Sequence, residues 1–352
     1  MPDVPSMVPP RATRFGRLLP VAVLVLTLAA YSVPPVDVRA QSVASWRILG
    51  EGAQLRSPMG VVVDVAGSIY VADAGNHRVV KLDPNGRQVA AWGTQGAAPG
   101  QFDNPSGIAV DGAGYVYVAD TFNHRVQKLT PDGQVVLVVG ELGARVGQFR
   151  DPAGIAVDSE GTMYVADTRN NRVQKLSPEG EPLADWGTAT DGEQPVGGQA
   201  SGGQASGGWP SGERLPGEPP IEAPRPPVFD PFRRPKGLAL DVYGRLIVAD
   251  TDDVRIALVS AETGRVFDAW ASSGSPRGAA VDAYGRVYVA DAYGHRVQLL
   301  GAEGAALAQW GTEGGQAGEF RSPSGVALDR GGALYVADTG NHRLQRLAAT
   351  GQ

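Results

Sequence analysis

The pattern V-Y-V-A-D-T-F-N-H-R-V-Q-K-L at residues 116–129 recurs, with edits, six times along this chain. Aligned on the Asp that closes its first half, the copies fall at Asp73, Asp120, Asp167, Asp250, Asp291 and Asp338, spaced by 47, 47, 83, 41 and 47 residues. A period near that length corresponds to one four-stranded blade per repeat. A single blade cannot bury its own faces, so its neighbours must stack on it. Closing the stack into a ring leaves few open sheet edges.

Within a repeat, four runs alternate apolar and polar residues. In the second copy they cover residues 107–111, 115–120, 125–129 and 134–140, and they predict strands a, b, c and d. The Asp-Gly-Ala-Gly after strand a and the Pro-Asp-Gly after strand c are tight-turn sequences, because Pro presets φ and Gly accepts positive φ. Strand d usually ends in Trp, at Trp92, Trp186, Trp270 and Trp310, with Val139 in the second copy. A flat indole there is expected to pack between adjacent blades. The next repeat opens on Pro-x-Gly after a Phe-x-x-Pro approach, as at Phe102 and Pro105.

The two ends of the chain complement each other. Residues 43–46, V-A-S-W, align with the strand d segment at residues 89–92, so a strand d precedes the first full copy. Residues 346–352 match residues 128–134, and the sequence stops where a strand d should begin. The N-terminal strand is therefore predicted to complete the last blade and remove the open edge. The predicted fold is all-β, a six-bladed propeller of four-stranded antiparallel blades over residues 41–352.

One connection breaks the rhythm. Trp-to-Pro spacing is 13 residues at Trp92 and Trp310 and 49 at Trp186, an excess of 36. Residues 188–234 are rich in Gly, Ser and Pro and too poor in apolar residues to form a core. A long, mostly disordered insertion between the third and fourth blades is expected, on the face of the b–c loops. That face carries the connections that are free to vary.

Residues 1–40 read as a targeting unit. Arg11, Arg14 and Arg17 precede an apolar run at residues 18–33, and Val38-Arg39-Ala40 follows it. Cleavage after Ala40 is the expected outcome, with an uncleaved signal anchor as the competing reading. In either case the repeats are exported, to a secreted, periplasmic or cell-surface location. Removing the four Arg and two Asp of this unit from 31 basic and 37 acidic residues leaves 27 and 35, a charge of −8. Such a surface disfavours nucleic acid as a partner. The chain has no cysteine, so disulfides and thiolate metal sites are excluded.

The runs P-x-G-I-A-V-D, V-Y-V-A-D-T and N-H-R-V-Q-K-L resemble NHL repeats, and the resemblance spans about residues 43–352 apart from the insertion. It implies a six-bladed interaction platform. Members include extracellular parts of bacterial receptor kinases, RNA-binding tripartite-motif proteins and a lyase that completes peptide amidation, so the resemblance implies a fold more firmly than an activity. In that lyase, metal-binding histidines follow the Pro that opens strand a. The corresponding residues here are Met59, Ser106, Ala153, Lys236, Arg277 and Ser324, none of them a ligand of that type.

Residues that recur around the ring are expected to be structural. These are the six Asp above with Arg78, Arg125, Arg172, Arg255, Arg296 and Arg343, the Asp accepting from loop amides and from the Arg five residues on. His77, His124, His295 and His342 share one repeat position, so they are spread around the ring and do not converge on one zinc ion. Asp250, Asp252 and Asp253 form the one unusual carboxylate cluster and a weak calcium candidate; no other cofactor is expected.

What breaks the symmetry is the better guide to function. Lys236 and Arg277 occupy adjacent channel-mouth positions, with Arg233 and Arg234 just before the first, and this basic patch is a candidate anion site. Solvated loop charge is the plain alternative. Phe122 and Tyr293 are candidate contacts in loops, or else packing between blades. The expected function is a monomeric, non-enzymatic binding scaffold for a protein, peptide or glycan. The alternative is a metal-dependent lyase or lactonase-like hydrolase using the central channel.

Overall fold

The computed structural model describes residues 46–187 and 232–348. The targeting unit at residues 1–40 and nearly all of the insertion lie outside the described residues. Among the described residues no helix is long and apolar enough to cross a membrane.

Six four-stranded antiparallel sheets form the blades. In the second blade the strands are Pro105–Val110, Val116–Asp120, Arg125–Leu129 and Val135–Val139, each end within two residues of the sequence pattern. Strand b is buried along its whole length in five blades, for example at Ile69–Asp73 and Val116–Asp120, and in the fourth at every residue after Arg245, because both faces are covered by neighbouring blades. Strand d is half exposed, as its alternation requires.

The core is divided into six apolar seams, one at each blade boundary. Tyr70, Ala72 and Val79 of the first blade meet Ile108, Val116 and Val118 of the second, and the same pattern repeats around the ring. Each seam holds the residue that ends strand d. The Trp92 indole lies 6.2 Å from the Tyr70 ring of its own blade and against Gly133 of the next. Val139 takes that position against Gly180. The approach residues Phe102, Phe149, Phe232 and Phe320 are all buried and close the seams at the b–c end.

The ring closes as the repeat pattern predicts, with one correction of register. Strand Trp46–Leu49 pairs antiparallel with Arg343–Leu347 and completes the last blade. Leu49 stands opposite Leu344, where Trp92 stands opposite Val79, so Leu49 and not Trp46 fills the indole position against the next blade. Trp46 lies at the other end of the strand, opposite Leu347, and meets Phe320 edge-on at 5.1 Å. An apolar seam takes either Leu or Trp, and the short connection to Pro58, wound into a 3-10 turn at Glu51–Ala53, sets the register instead. Residues 43–45 of the aligned segment lie outside the described residues.

The Pro-x-Gly step has a steric cause. A Cβ on Gly60, Gly107, Gly154, Gly237, Gly278 or Gly325 would overlap a backbone carbonyl of the next strand a, on Ser106, Ala153, Lys236, Arg277, Ser324 or Met59 respectively. The innermost strands approach one another this closely because the ring is small. Around them Thr121, Thr168, Thr251 and Thr339 donate to the Pro carbonyl that opens the next blade, at 2.7 to 2.9 Å.

Candidate ligand-binding face

The recurring polar residues form one repeated network. Asp120 is fully buried; its Oδ1 accepts from the Asp103 amide at 2.7 Å, and its Oδ2 accepts from Arg125 Nε at 2.7 Å, Asn123 at 2.9 Å and Gln127 at 3.0 Å. Asp73, Asp167, Asp250, Asp291 and Asp338 accept from a preceding amide and from Arg78, Arg172, Arg255, Arg296 and Arg343 in the same way. The histidines also join blades. Nδ1 of His77, His124, His295 and His342 accepts the backbone N–H of Asn104, Asp151, Ser322 and Ser57 respectively. Asn171 does the same for Arg234 at 3.0 Å.

The fourth blade departs from this network. Its Asn position holds Asp253 and its Gln position holds Ala257, so Asp250 loses two donors and gains a like charge. Burial, reinforced by Asp253 and opposed by the Arg233 amide and Arg255, pushes the Asp250 carboxyl up to about 6. Val254, a β-branched residue, is held at φ 52° in the same loop, a conformation such side chains avoid.

A folded pKa raised above the ordinary 3.8 means that Asp250 contributes stability below about pH 4, and that this contribution is lost as pH rises through about 6. Asp253→Asn restores the donor and removes the like charge. The variant is expected to flatten the fall of Tm between pH 4.5 and 7 and to be more stable at pH 7 by roughly 1 kcal/mol. Parallel pH profiles for the two proteins would refute this.

The calcium candidate residues are held by arginines. Asp250 accepts from Arg255, Asp252 lies 3.7 Å from Arg234, and Asp253 lies 3.6 Å from both Arg233 and Arg255. Among the described residues no group of three His, Asp or Glu side chains is placed to share a metal ion.

The six innermost strands line a central cavity of about 100 Å³, with Met59, Ser106, Ala153, Lys236, Arg277 and Ser324 at equivalent positions. Ser106 and Ser324 hydrogen-bond to Thr121 and Thr339, at 2.7 and 2.8 Å. Lys236 and Arg277 have no ion-pair partner among the described residues, and Arg277 Nε is buried without a hydrogen bond. Burial, then the neighbouring Arg277 and Arg234, bring the Lys236 ammonium down to about 8 against the opposing pull of Asp252. Burial and Arg234 also lower Arg277. Two cations pressed together and desolvated make a local site for an anion.

A second hollow, of about 470 Å³, lies on the same face at the boundary of the third and fourth blades, lined by Arg150, Arg169, Asn171, Arg233, Arg234 and Asp252. Sequence reasoning identified Arg233 and Arg234 and missed Arg150, Arg169 and Asn171. For Arg169 the available signal was the loop-tip position two residues after each repeat Asp, which reads Gly75, Phe122, Arg169, Asp252, Tyr293 and Gly340. Blades two, three and five carry large side chains there, the fourth carries Asp252, and the two flanking the ring closure carry glycine. Phe122 is 54 % and Tyr293 81 % exposed, so neither packs between blades.

The fold defines a six-bladed β-propeller with a small central cavity and a basic sector on its b–c face. The NHL repeat matches residues 55–82, 102–129, 149–176, 274–298 and 320–347, so the chain is an NHL-repeat propeller. The fourth blade, which holds Lys236, is the unmatched one. No curated protein matches the chain in sequence. Among solved structures it is similar to a gluconolactonase from Xanthomonas campestris (TM-score 0.58, 16 % identity, covering 86 % of this chain and 89 % of that one). It is also similar to a virginiamycin B lyase from Staphylococcus aureus solved with quinupristin (TM-score 0.55, 12 % identity, covering 87 % and 85 %). A hydrazine synthase from Kuenenia stuttgartiensis is similar to the same degree (TM-score 0.54, 12 % identity, covering 84 % and 96 %). At these identities the likeness concerns the fold.

Proposed function

We propose that this chain is a non-enzymatic binding scaffold, exported from the cytoplasm and acting as a monomer, which takes a protein, peptide or glycan ligand on its b–c face. The observation that carries the reading is the asymmetry of the central cavity: two of its six equivalent positions hold cations without carboxylate partners, next to each other. Repeated residues build the ring, and this pair serves no evident role in it. An anionic group of the ligand relieves the repulsion between Lys236 and Arg277.

The test is a titration of acidic and neutral sugars and peptides against the full chain and against Lys236→Ala plus Arg277→Ala. The double variant is expected to bind an acidic ligand at least about ten-fold more weakly. Wild-type affinity is expected to fall as pH rises through about 8, where Lys236 loses its proton. Equal binding by the two proteins refutes the reading. Lyase or gluconolactone-hydrolysing activity of the purified protein with added divalent metal replaces it with the enzymatic alternative suggested by the structural neighbours.

A further inference from the structure

We infer that the ligand is an extended acidic oligosaccharide, with one uronate carboxylate at Lys236 and Arg277 and a second in the hollow between the third and fourth blades. This rests on the reading that the b–c face binds ligand. Three observations favour that class over others.

The first is charge. Arg150, Arg169, Arg233, Arg234, Lys236 and Arg277 face Asp151, Asp252 and Asp253, leaving an excess of three positive charges on a chain of net charge −6. Arg150 is exposed and has no carboxylate partner among the described residues. Arg234, which lies in the hollow two residues before Lys236, makes the cavity mouth and the hollow one continuous basic strip, so more than one anionic group is accommodated.

The second is polarity. Among the described residues, Arg, Asn and Asp line the hollow. A peptide or protein partner draws its binding energy from apolar and aromatic anchors seated in apolar pockets, and the described residues of this hollow provide no apolar lining. Guanidinium groups offer paired donors that match carboxylates and hydroxyls.

The third is the arrangement of the loop tips. Phe122 and Tyr293 occupy the tip position on the blades flanking the basic pair of blades, and both are exposed. Flat apolar rings presented to solvent suit the apolar face of a sugar ring, while the opposite tips at Gly75 and Gly340 offer nothing. The strip therefore has carboxylate-binding residues in its middle and sugar-stacking residues at its margins.

The experiment measures calorimetric binding of tetragalacturonate, galacturonate monomer, a neutral maltotetraose and a tetraglutamate peptide. It uses the full chain, Arg150→Ala plus Arg169→Ala, and Lys236→Ala plus Arg277→Ala, with thermal melts to confirm folding. The acidic tetramer is expected to bind, with affinity falling as salt rises, and the neutral tetramer not to bind. The Arg150/Arg169 variant is expected to weaken the tetramer about ten-fold and leave the monomer unchanged. If only the Lys236/Arg277 variant weakens the tetramer, the second subsite is refuted and the reading of the cavity mouth stands. Equal binding of tetraglutamate or maltotetraose refutes the uronate assignment, and no binding by any probe refutes both inferences.

Discussion

Gly154→Ala is expected to prevent the ring from closing properly, at a cost of at least about 3 kcal/mol. The added Cβ would overlap the Lys236 carbonyl of the next innermost strand, which is backbone and cannot rotate away. The strain must be relieved by moving one blade from its neighbour, and that opens the seam where Ala156, Tyr164, Trp186 and Leu238 pack. Gly112→Ala is the control, because nothing lies within 4 Å of the position its Cβ would take. Its effect is expected to stay within about 0.5 kcal/mol. Equal urea midpoints for the two variants would show that ring closure tolerates the extra atom.

The second large effect is expected at Arg172, which is 2 % exposed. Its guanidinium donates to Asp167 at 2.7 Å, to Asp185 at 3.1 Å, and to the carbonyls of Arg145 at 2.7 Å and Gln148 at 2.9 Å. Arg172→Ala leaves the buried Asp167 without its cation and takes one of two donors from each of the two carbonyls, which keep the Gln148 amide and the Gln174 side chain, at a cost of about 3–5 kcal/mol. Arg172→Lys is expected to rescue little, because one ammonium cannot reach partners spread over a planar fork. Arg87, paired with Asp83 at 3.0 Å but 82 % exposed at its side chain, provides the comparison. Its removal is expected to change stability by less than about 1 kcal/mol. Similar losses for Arg172→Ala and Arg87→Ala in denaturant unfolding would contradict the structural role of the network.

The proposed binding on the b–c face depends on both devices. Strand Arg172–Leu176 and the loop before it present Arg169 and Asn171, and Asn171 in turn fixes the Arg234 amide while that residue sits at φ 51°. The hollow is therefore held by a hydrogen bond from the Arg234 amide to the Asn171 side chain across a blade boundary, although the side chains of Arg169, Arg233 and Arg234 are exposed.

The fold was legible because it repeats. An Asp followed five residues later by an Arg, six times over, identifies a b–c turn wherever it stands, and the alternation around it identifies the strands. The ring closure was legible for the same reason, since the missing strand of the last blade appears at the start of the chain. Its register was not, because the seam is an apolar socket that Leu49 fills as readily as an indole, and a match on Trp46 could not reveal the substitution. The deviation of Asp250 was hidden too. The sequence shows Asp253 and Ala257, while the missing donors become visible only beside Asn123 and Gln127 of the regular blade.

Sequence by itself determined the scaffold of this protein: strand boundaries, blade number, the exchange of strands at closure and the pairing of each recurring Asp with the Arg five residues on. These follow from local periodicity and short-range pairing, which a linear reading contains. Only the tertiary structure decided which asymmetric residues meet. Arg150 and Arg169 belong to the third blade and Arg233 and Arg234 to the approach of the fourth, far apart along the chain and side by side in one hollow. The ring brings them together because each innermost strand packs against the next blade, a contact set by closure geometry and not by any local pattern of residues.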